Sequence, residues 1–240
     1  MKIGVCVPCH SDYIQYLDRL LLSIENQTLK PHIVSISISG LTDVIAIPTF
    51  VTTFPIKITT TKLLKNAGEN RNIAVDQIKD DVDIISFFDA DDFMHPQRLE
   101  IIHNAFTKYD IDAFLHDCMK CQKIIPTADL ITTINSIQIT KRVFNKFIYS
   151  CNNRFIDAID DNNKYVPVVA GHISVKSSIF NTHRVPERSV GYEDSEFSKN
   201  LFTFGYKMSF TPDMLSLYCC VGVIEKWRLH MHKHNHIRSR

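Results

Sequence analysis

The chain has 240 residues, and 27 Lys and Arg against 26 Asp and Glu leave a formal net charge of +1. That balance provides no field to gather nucleic acid or an anionic membrane without specificity, so no nucleic-acid partner is expected. Hydrophobic residues at 45% allow a sizeable core, while 7 Gly and 9 Pro exclude a collagen-like or disordered chain.

The first residues lack the long apolar core and small-residue cleavage site of a signal peptide. The longest apolar stretch, residues 214–224, is too short to span a bilayer and is interrupted by Ser216 and Gly222. Seven scattered cysteines, an odd number, argue against a disulfide framework. These features predict a cytoplasmic protein with free thiols and no transmembrane segment. Asn26-Gln27-Thr28 has the form of a glycosylation sequon but reads as a helix end.

In chain order, residues 2–8 (K-I-G-V-C-V-P) read as a buried strand. Ser11 and Asp12 offer cap oxygens to a helix whose apolar face is Ile14, Leu17, Leu21 and Ile24. Strands follow at 33–39, ending at Gly40, and at 56–60. A helix over 69–79 leads to 83–88 (D-I-I-S-F-F), an apolar run of the kind that parallel sheets bury on both faces. Pro96 suits a first helical position before the stripe Leu99, Ile102 and Phe106, and 111–115 reads as a strand. Alternation at this spacing predicts an α/β fold with a mostly parallel sheet. Residues 119–165 are mixed, with a helix expected near 137–149. One or two strands lie in 166–175, and a helix carrying Phe197, Leu201 and Phe204 is closed by Gly205. Short strands at 207–210 and 215–221 lead to a His-rich basic tail.

Three constellations carry chemistry. Phe88-Asp89-Ala90-Asp91-Asp92 places three carboxylates at the C-terminal end of a buried parallel strand, where open α/β sheets hold their ligands. Such crowding calls for a divalent cation with a diphosphate, although Asp92 could instead cap a turn. Tyr192-Glu193-Asp194-Ser195 opens a helix, where Asp194 is either an N-cap or a base for an incoming hydroxyl. Asn66-Ala67-Gly68-Glu69-Asn70-Arg71-Asn72 opens another, where Arg71 meets either phosphates or a surface partner. Cys118 and Cys121 have zinc spacing but lack a second ligand pair, and His230, His232, His234 and His236 alternate in the tail. The turn after the first strand carries no Gly-rich fingerprint, which argues against dinucleotide and P-loop sites.

Taken in order, these segments resemble a family 2-like glycosyltransferase of the GT-A fold. Val5-Cys6-Val7-Pro8-Cys9-His10 is similar to that family's first strand and V-I-P-x-x-N turn. Residues 20–28 are similar to its S-x-x-x-Q-T helix ending, and 68–73 to its G-x-x-x-A-R-N-x-G segment. Residues 89–92 resemble its D-x-D-D motif, and Glu193-Asp194 its E-D motif. The resemblance implies a Rossmann-like, mostly parallel central sheet flanked by helices, in one domain over 1–240. Residues 1–95 would form a nucleotide-sugar half, 96–222 a smaller acceptor-side half, and 223–240 a tail. It also implies roles: Pro8, Cys9 and His10 line the nucleotide pocket, with Arg71 near the base or diphosphate. Asp89 holds the ribose, Asp91 with Asp89 binds Mn²⁺ or Mg²⁺, and Asp92 shapes the donor-sugar pocket. Asp194 is the base, Glu193 orients the acceptor, and His172 lies on the acceptor side.

Two departures stand out. The second strand ends Ser37-Ile38-Ser39-Gly40 where many relatives have D-D-G-S, so base recognition differs. Tyr218-Cys219 stands where relatives carry a Y-H pair, so either the third metal ligand is lost or Cys219, His230 or His232 supplies it. The expected function is metal-dependent, inverting transfer from a UDP- or GDP-sugar to a glycan or other hydroxyl acceptor. The alternative is a catalytically silent nucleotide-sugar-binding or zinc-stabilised interaction module.

Overall fold

The computed structural model describes residues 1–41, 49–121, 126–149, 156–187 and 191–219. β1 (Ile3–His10) is buried on both faces and pairs in parallel with β2 (Ile33–Ser39) and β4 (Ile84–Phe87). β3 (Ile56–Thr61) extends the sheet beyond β2. The order of the eight-stranded sheet is β3-β2-β1-β4-β10-β6-β11-β5, with β5 (Phe93–Met94), β6 (Ala113–Cys121), β10 (Ser174–Lys176) and β11 (Met208–Cys219) completing it. Four of its pairings are parallel and three antiparallel, so the expected mostly parallel sheet is present.

The single inverted strand near the centre sets the geometry of the site. β10 runs antiparallel to both β4 and β6. Its leading segment, the 3₁₀ turn Ala170–His172, therefore arrives at the C-terminal end of β4, where the acidic loop also begins.

Helices cover both faces. Residues of α1 (Leu17–Glu25) and α3 (Arg98–Lys108) share one core with Val5, Val7 and Ile36. Residues of α2 (Ala67–Asp76) and α5 (Glu193–Thr203) share another with Cys6, Ile85 and Leu115. The two sides of β2 differ in chemistry. Val34, Ile36 and Ile38 face the first core, while the fully buried Ser35, Ser37 and Ser39 bond to the loop and helix of α2. A smaller sheet, β7-β8-β9 (Lys146–Tyr149, Ile156–Ile159, Tyr165–Val166), lies against the α5 side.

Several expectations are corrected. The helix near 137–149 does not form: Lys141 adopts a left-handed φ of 57°, and 146–149 is β7. Asp213 imposes this by accepting the backbone N–H groups of Thr140 and Lys141. The helix in this region is α4 (Thr127–Asn135). The two short strands near the end are one long β11, with register shifts on either side of Met214. Its expected extension to 221 lies outside the described residues, as do His230, His232, His234 and His236. The first helix begins as a 3₁₀ turn (Ser11–Tyr16) whose cap is His10, accepting from the Asp12 N–H at 3.1 Å, rather than Ser11 or Asp12. α3 starts after Gln97, two residues later than a proline at its first position would require.

Candidate active site

Each residue of the α2 opening has a visible task. Asn66 and Glu69 form a reciprocal capping box. Gly68 passes so close to Pro186 that a Cβ would lie 2.1 Å from its carbonyl oxygen. Asn70 exchanges hydrogen bonds with Ser37 and Ser39, and Asn72 bonds Val185 and Glu187. Arg71 is buried and turned inward. Its Nη2 donates to Asp89 at 2.8 Å and its Nη1 to Glu193. The guanidinium is thus the tie between the two acidic segments rather than a surface partner, and it offsets part of their charge.

The acidic loop is secured from below. Arg19 on α1 donates to the Asp91 carbonyl. Gln27, the buried glutamine at the end of α1, donates to the His95 carbonyl and accepts the Leu99 N–H, which fixes the start of α3. Asp92 is fully buried, and its Oδ1 accepts the Cys219 N–H at 2.6 Å. Cys219 therefore meets the loop through its backbone.

Asp92, Asp89 and His172 aim one ligand atom each into the same space, all within 4.8 Å of one another. His172 Nε2 lies 2.9 Å from Asp92 Oδ2 and 3.9 Å from Asp89 Oδ2. The shorter approach is out of line for a hydrogen bond, and both of its atoms are buried without a hydrogen-bond partner among the described residues. Two carboxylates and an imidazole facing each other suit a divalent cation. Burial, followed by the neighbouring carboxylates, raises the Asp91 carboxyl well above its usual range, and burial raises Asp92. Burial raises Asp89 too, opposed by Arg71, and it lowers His172 to about 3. Negative charge here is under-compensated, and His172 is neutral.

The His172 ring is clamped. Its Nδ1 lies 3.0 Å from Ser216 Oγ, and its face stacks on Phe88 at 4.2 Å. Arg98, fully buried, donates to the carbonyls of His172 and Phe87, to Ser86 Oγ and to His116 Nε2. Neither Arg98 nor Arg19 stood out in the sequence, because nothing local distinguishes them from ordinary helix arginines.

Above this floor opens a cavity of about 470 Å³. Pro8, Cys9, His10, Arg71, Asp89, Asp91, Glu193 and Asp194 all line it, together with Tyr13, Lys65, Asn70 and Tyr218. Asp92 and His172 sit behind it, and Asp91 forms its wall outside the cation-capable group. Asp194 is not the helix cap: that position is Tyr192, in a left-handed conformation and without a side-chain cap bond. Asp194 Oδ1 instead accepts the Ser195 N–H at 2.7 Å. Gly171 lies between the two acidic segments, where a Cβ would stand 3.2 Å from both Asp194 Oδ2 and Asp89 Oδ2. The described cysteines Cys6, Cys9, Cys118, Cys121 and Cys219 are free thiols, and no helix among the described residues is long and apolar enough to cross a membrane.

Comparison with known proteins is decisive for the family. The model of glycosyl transferase family 2 matches residues 4–151, more than half of the chain. The chain belongs to this family. No curated protein matches the sequence. Among solved structures, residues 1–349 of S. aureus TarS in complex with UDP-GlcNAc align with a TM-score of 0.62 at 15% identity, covering 92% of this chain and 59% of that one. The mannosyltransferase PcManGT from Pyrobaculum calidifontis, in complex with GDP-Man and Mn²⁺, aligns at 0.57 and 16% identity, covering all of this chain and 65% of that one. The family 2 chain thus spans about three fifths to two thirds of these neighbours. The fold they share with it is GT-A.

Proposed function

We propose that this family 2 enzyme transfers a sugar from a UDP- or GDP-sugar to a hydroxyl acceptor, with inversion and with a divalent cation. The observation that carries the reading is the gathering of Asp89, Arg71, Glu193 and Asp194 around Gly171 on the wall of one cavity, although they come from three distant segments. The neighbours' complexes with UDP-GlcNAc and with GDP-Man and Mn²⁺ support a nucleotide-sugar donor.

In this reading Pro8, Cys9 and His10 cradle the nucleoside. Asp89, Asp92 and His172 hold the cation, and Asp91 presents its carboxylate to the same diphosphate region. His172 thereby fills the third-ligand role that the sequence left to Cys219 or the tail. When bound, the cation supplies neutralisation of charge on the departing diphosphate. Asp194 accepts the acceptor's hydroxyl proton as its oxygen bonds to the anomeric carbon. The sugar–phosphate bond breaks on the opposite face, and its electron pair leaves on the diphosphate oxygen. Arg71 holds Glu193 and Asp89 in place, so it acts by positioning.

The test is a hydrolysis screen of UDP-, GDP- and dTDP-sugars with Mn²⁺ or Mg²⁺. One donor class is expected to be hydrolysed and to be protected by EDTA. A chain that neither binds nor hydrolyses any of them would refute the proposal.

A further inference from the structure

A second cavity lies beside the first, behind the strap Ala170–Gly171 and the first turn of α5. It measures about 280 Å³ and is walled by β6, β8, the segment 166–170 and α5. Its polar groups are Asp117, Asp157, Ser195, Ser198 and Lys120, and Val168 stands for its apolar strip. Asp194 itself lines the first cavity, and residues bonded to it line this one. Ser195, on its wall, donates its N–H to Asp194 Oδ1 at 2.7 Å, and Ser198 Oγ donates to the Asp194 carbonyl at 3.1 Å. Ala170, also on its wall, precedes the glycine that touches the Asp194 carboxylate.

We infer that this cavity receives the acceptor, and that the acceptor is a single uncharged sugar ring. The inference rests on the transfer reading above and names its second substrate. Three properties of the cavity carry it. Its volume falls just below the roughly 300–1,000 Å³ of sites that enclose a drug-sized ligand, which suits one ring rather than two. Its wall joins an apolar strip, for the C–H face of a ring, to carboxylates that accept from hydroxyls. Asp117 Oδ1 is taken by the Cys118 N–H at 2.7 Å, while its other oxygen has no donor among the described residues. Finally, two carboxylates stand against one ammonium, the exposed Lys120, so the local field opposes a phosphorylated acceptor.

The experiment uses the full chain, with donor hydrolysis as its internal control. Methyl glycosides of glucose, galactose, mannose and N-acetylglucosamine are offered beside glucose 6-phosphate and glycerol phosphate. A neutral glycoside is expected to be glycosylated and the phosphates not. Asp117→Asn, and Val168→Phe to fill the cavity, are each expected to raise the acceptor KM tenfold or more. Donor hydrolysis and nucleoside diphosphate affinity stay as in the wild type. Unchanged acceptor KM in both variants, or preference for a phosphorylated acceptor, overturns the cavity assignment alone. A wild type that hydrolyses no nucleotide-sugar overturns the transfer reading, and the acceptor assignment with it.

Discussion

Replacing Arg71 with Met leaves two buried carboxylates without their shared cation. The Glu193 side chain is 8% exposed and that of Asp89 26%, so water replaces little of what is lost. Removing one partner of a buried pair costs about 3–5 kcal/mol, a large share of the roughly 5–15 kcal/mol that holds a domain together. The stranded carboxyl can escape by taking a proton. Neutralising a carboxyl of ordinary pKa near 4.3 at pH 7 costs about 3.7 kcal/mol, within the same range. Protonation therefore limits the damage, and the limit falls by about 1.4 kcal/mol for each pH unit of acidification. For a chain of this size, the loss corresponds to a Tm lower by about 6–20 °C at pH 7. Thermal unfolding of Arg71→Met and wild type at pH 7.5 and 5.5 measures it, and the deficit should be smaller at pH 5.5. Arg71→Lys, whose ammonium lacks the two-armed fork, should fall between them. A variant within 2 °C of wild type, or a deficit independent of pH, would refute the bridging role.

Gly68→Ala should lower the urea midpoint, with a net loss of about 1–2 kcal/mol. The clash with the Pro186 carbonyl belongs at the upper end of the roughly 1–3 kcal/mol for overpacking, while the helix recovers only about 1 kcal/mol; an unchanged midpoint would contradict the close approach. Burial lifts Asp91 to about 8 and Asp92 to about 7. Carboxyls raised above their unfolded pKa stabilise the fold at low pH and lose that contribution as pH rises through the folded values. The EDTA-treated protein should therefore lose stability between about pH 6.5 and 8, and Mn²⁺ should restore it. His172, lowered to about 3, stays neutral throughout that window. A cation-free Tm that does not fall across this window would contradict the crowding. His172→Ala should weaken Mn²⁺ binding at least tenfold in calorimetry with a nucleoside diphosphate present, and undiminished affinity would remove His172 from the cation group.

The first half of the fold is legible because its elements obey one period each. The strand expected at 33–39 coincides with β2, although its serines are not a solvent face: Ala74, Asn70 and Lys65 bury them by bonding them. The helix expected near 137–149 failed for the opposite reason. Ile137, Ile139 and Val143 keep apolar spacing, yet Asp213 takes the backbone groups that a helix would need, from about 70 residues away. α4 has a weak sequence signature because only Leu130 and Ile134 mark its buried side. At the site, residues on the cavity wall were found from local motifs. The grouping of Asp92 with His172 was not, because it depends on β10 running against its neighbours, which no local pattern announces.

The most direct measurement is transfer by Asp194→Asn. Asp194 is not the α5 cap, and its Oδ1 accepts one N–H that an amide oxygen can also accept, so the fold should stay intact. Asn cannot take the acceptor's proton, and loss of a general base lowers rate by roughly 10²–10⁴-fold. The expected result is a kcat for sugar transfer reduced within that range, with wild-type Tm and unchanged donor affinity. Near wild-type transfer by the Asp194→Asn enzyme would contradict the account.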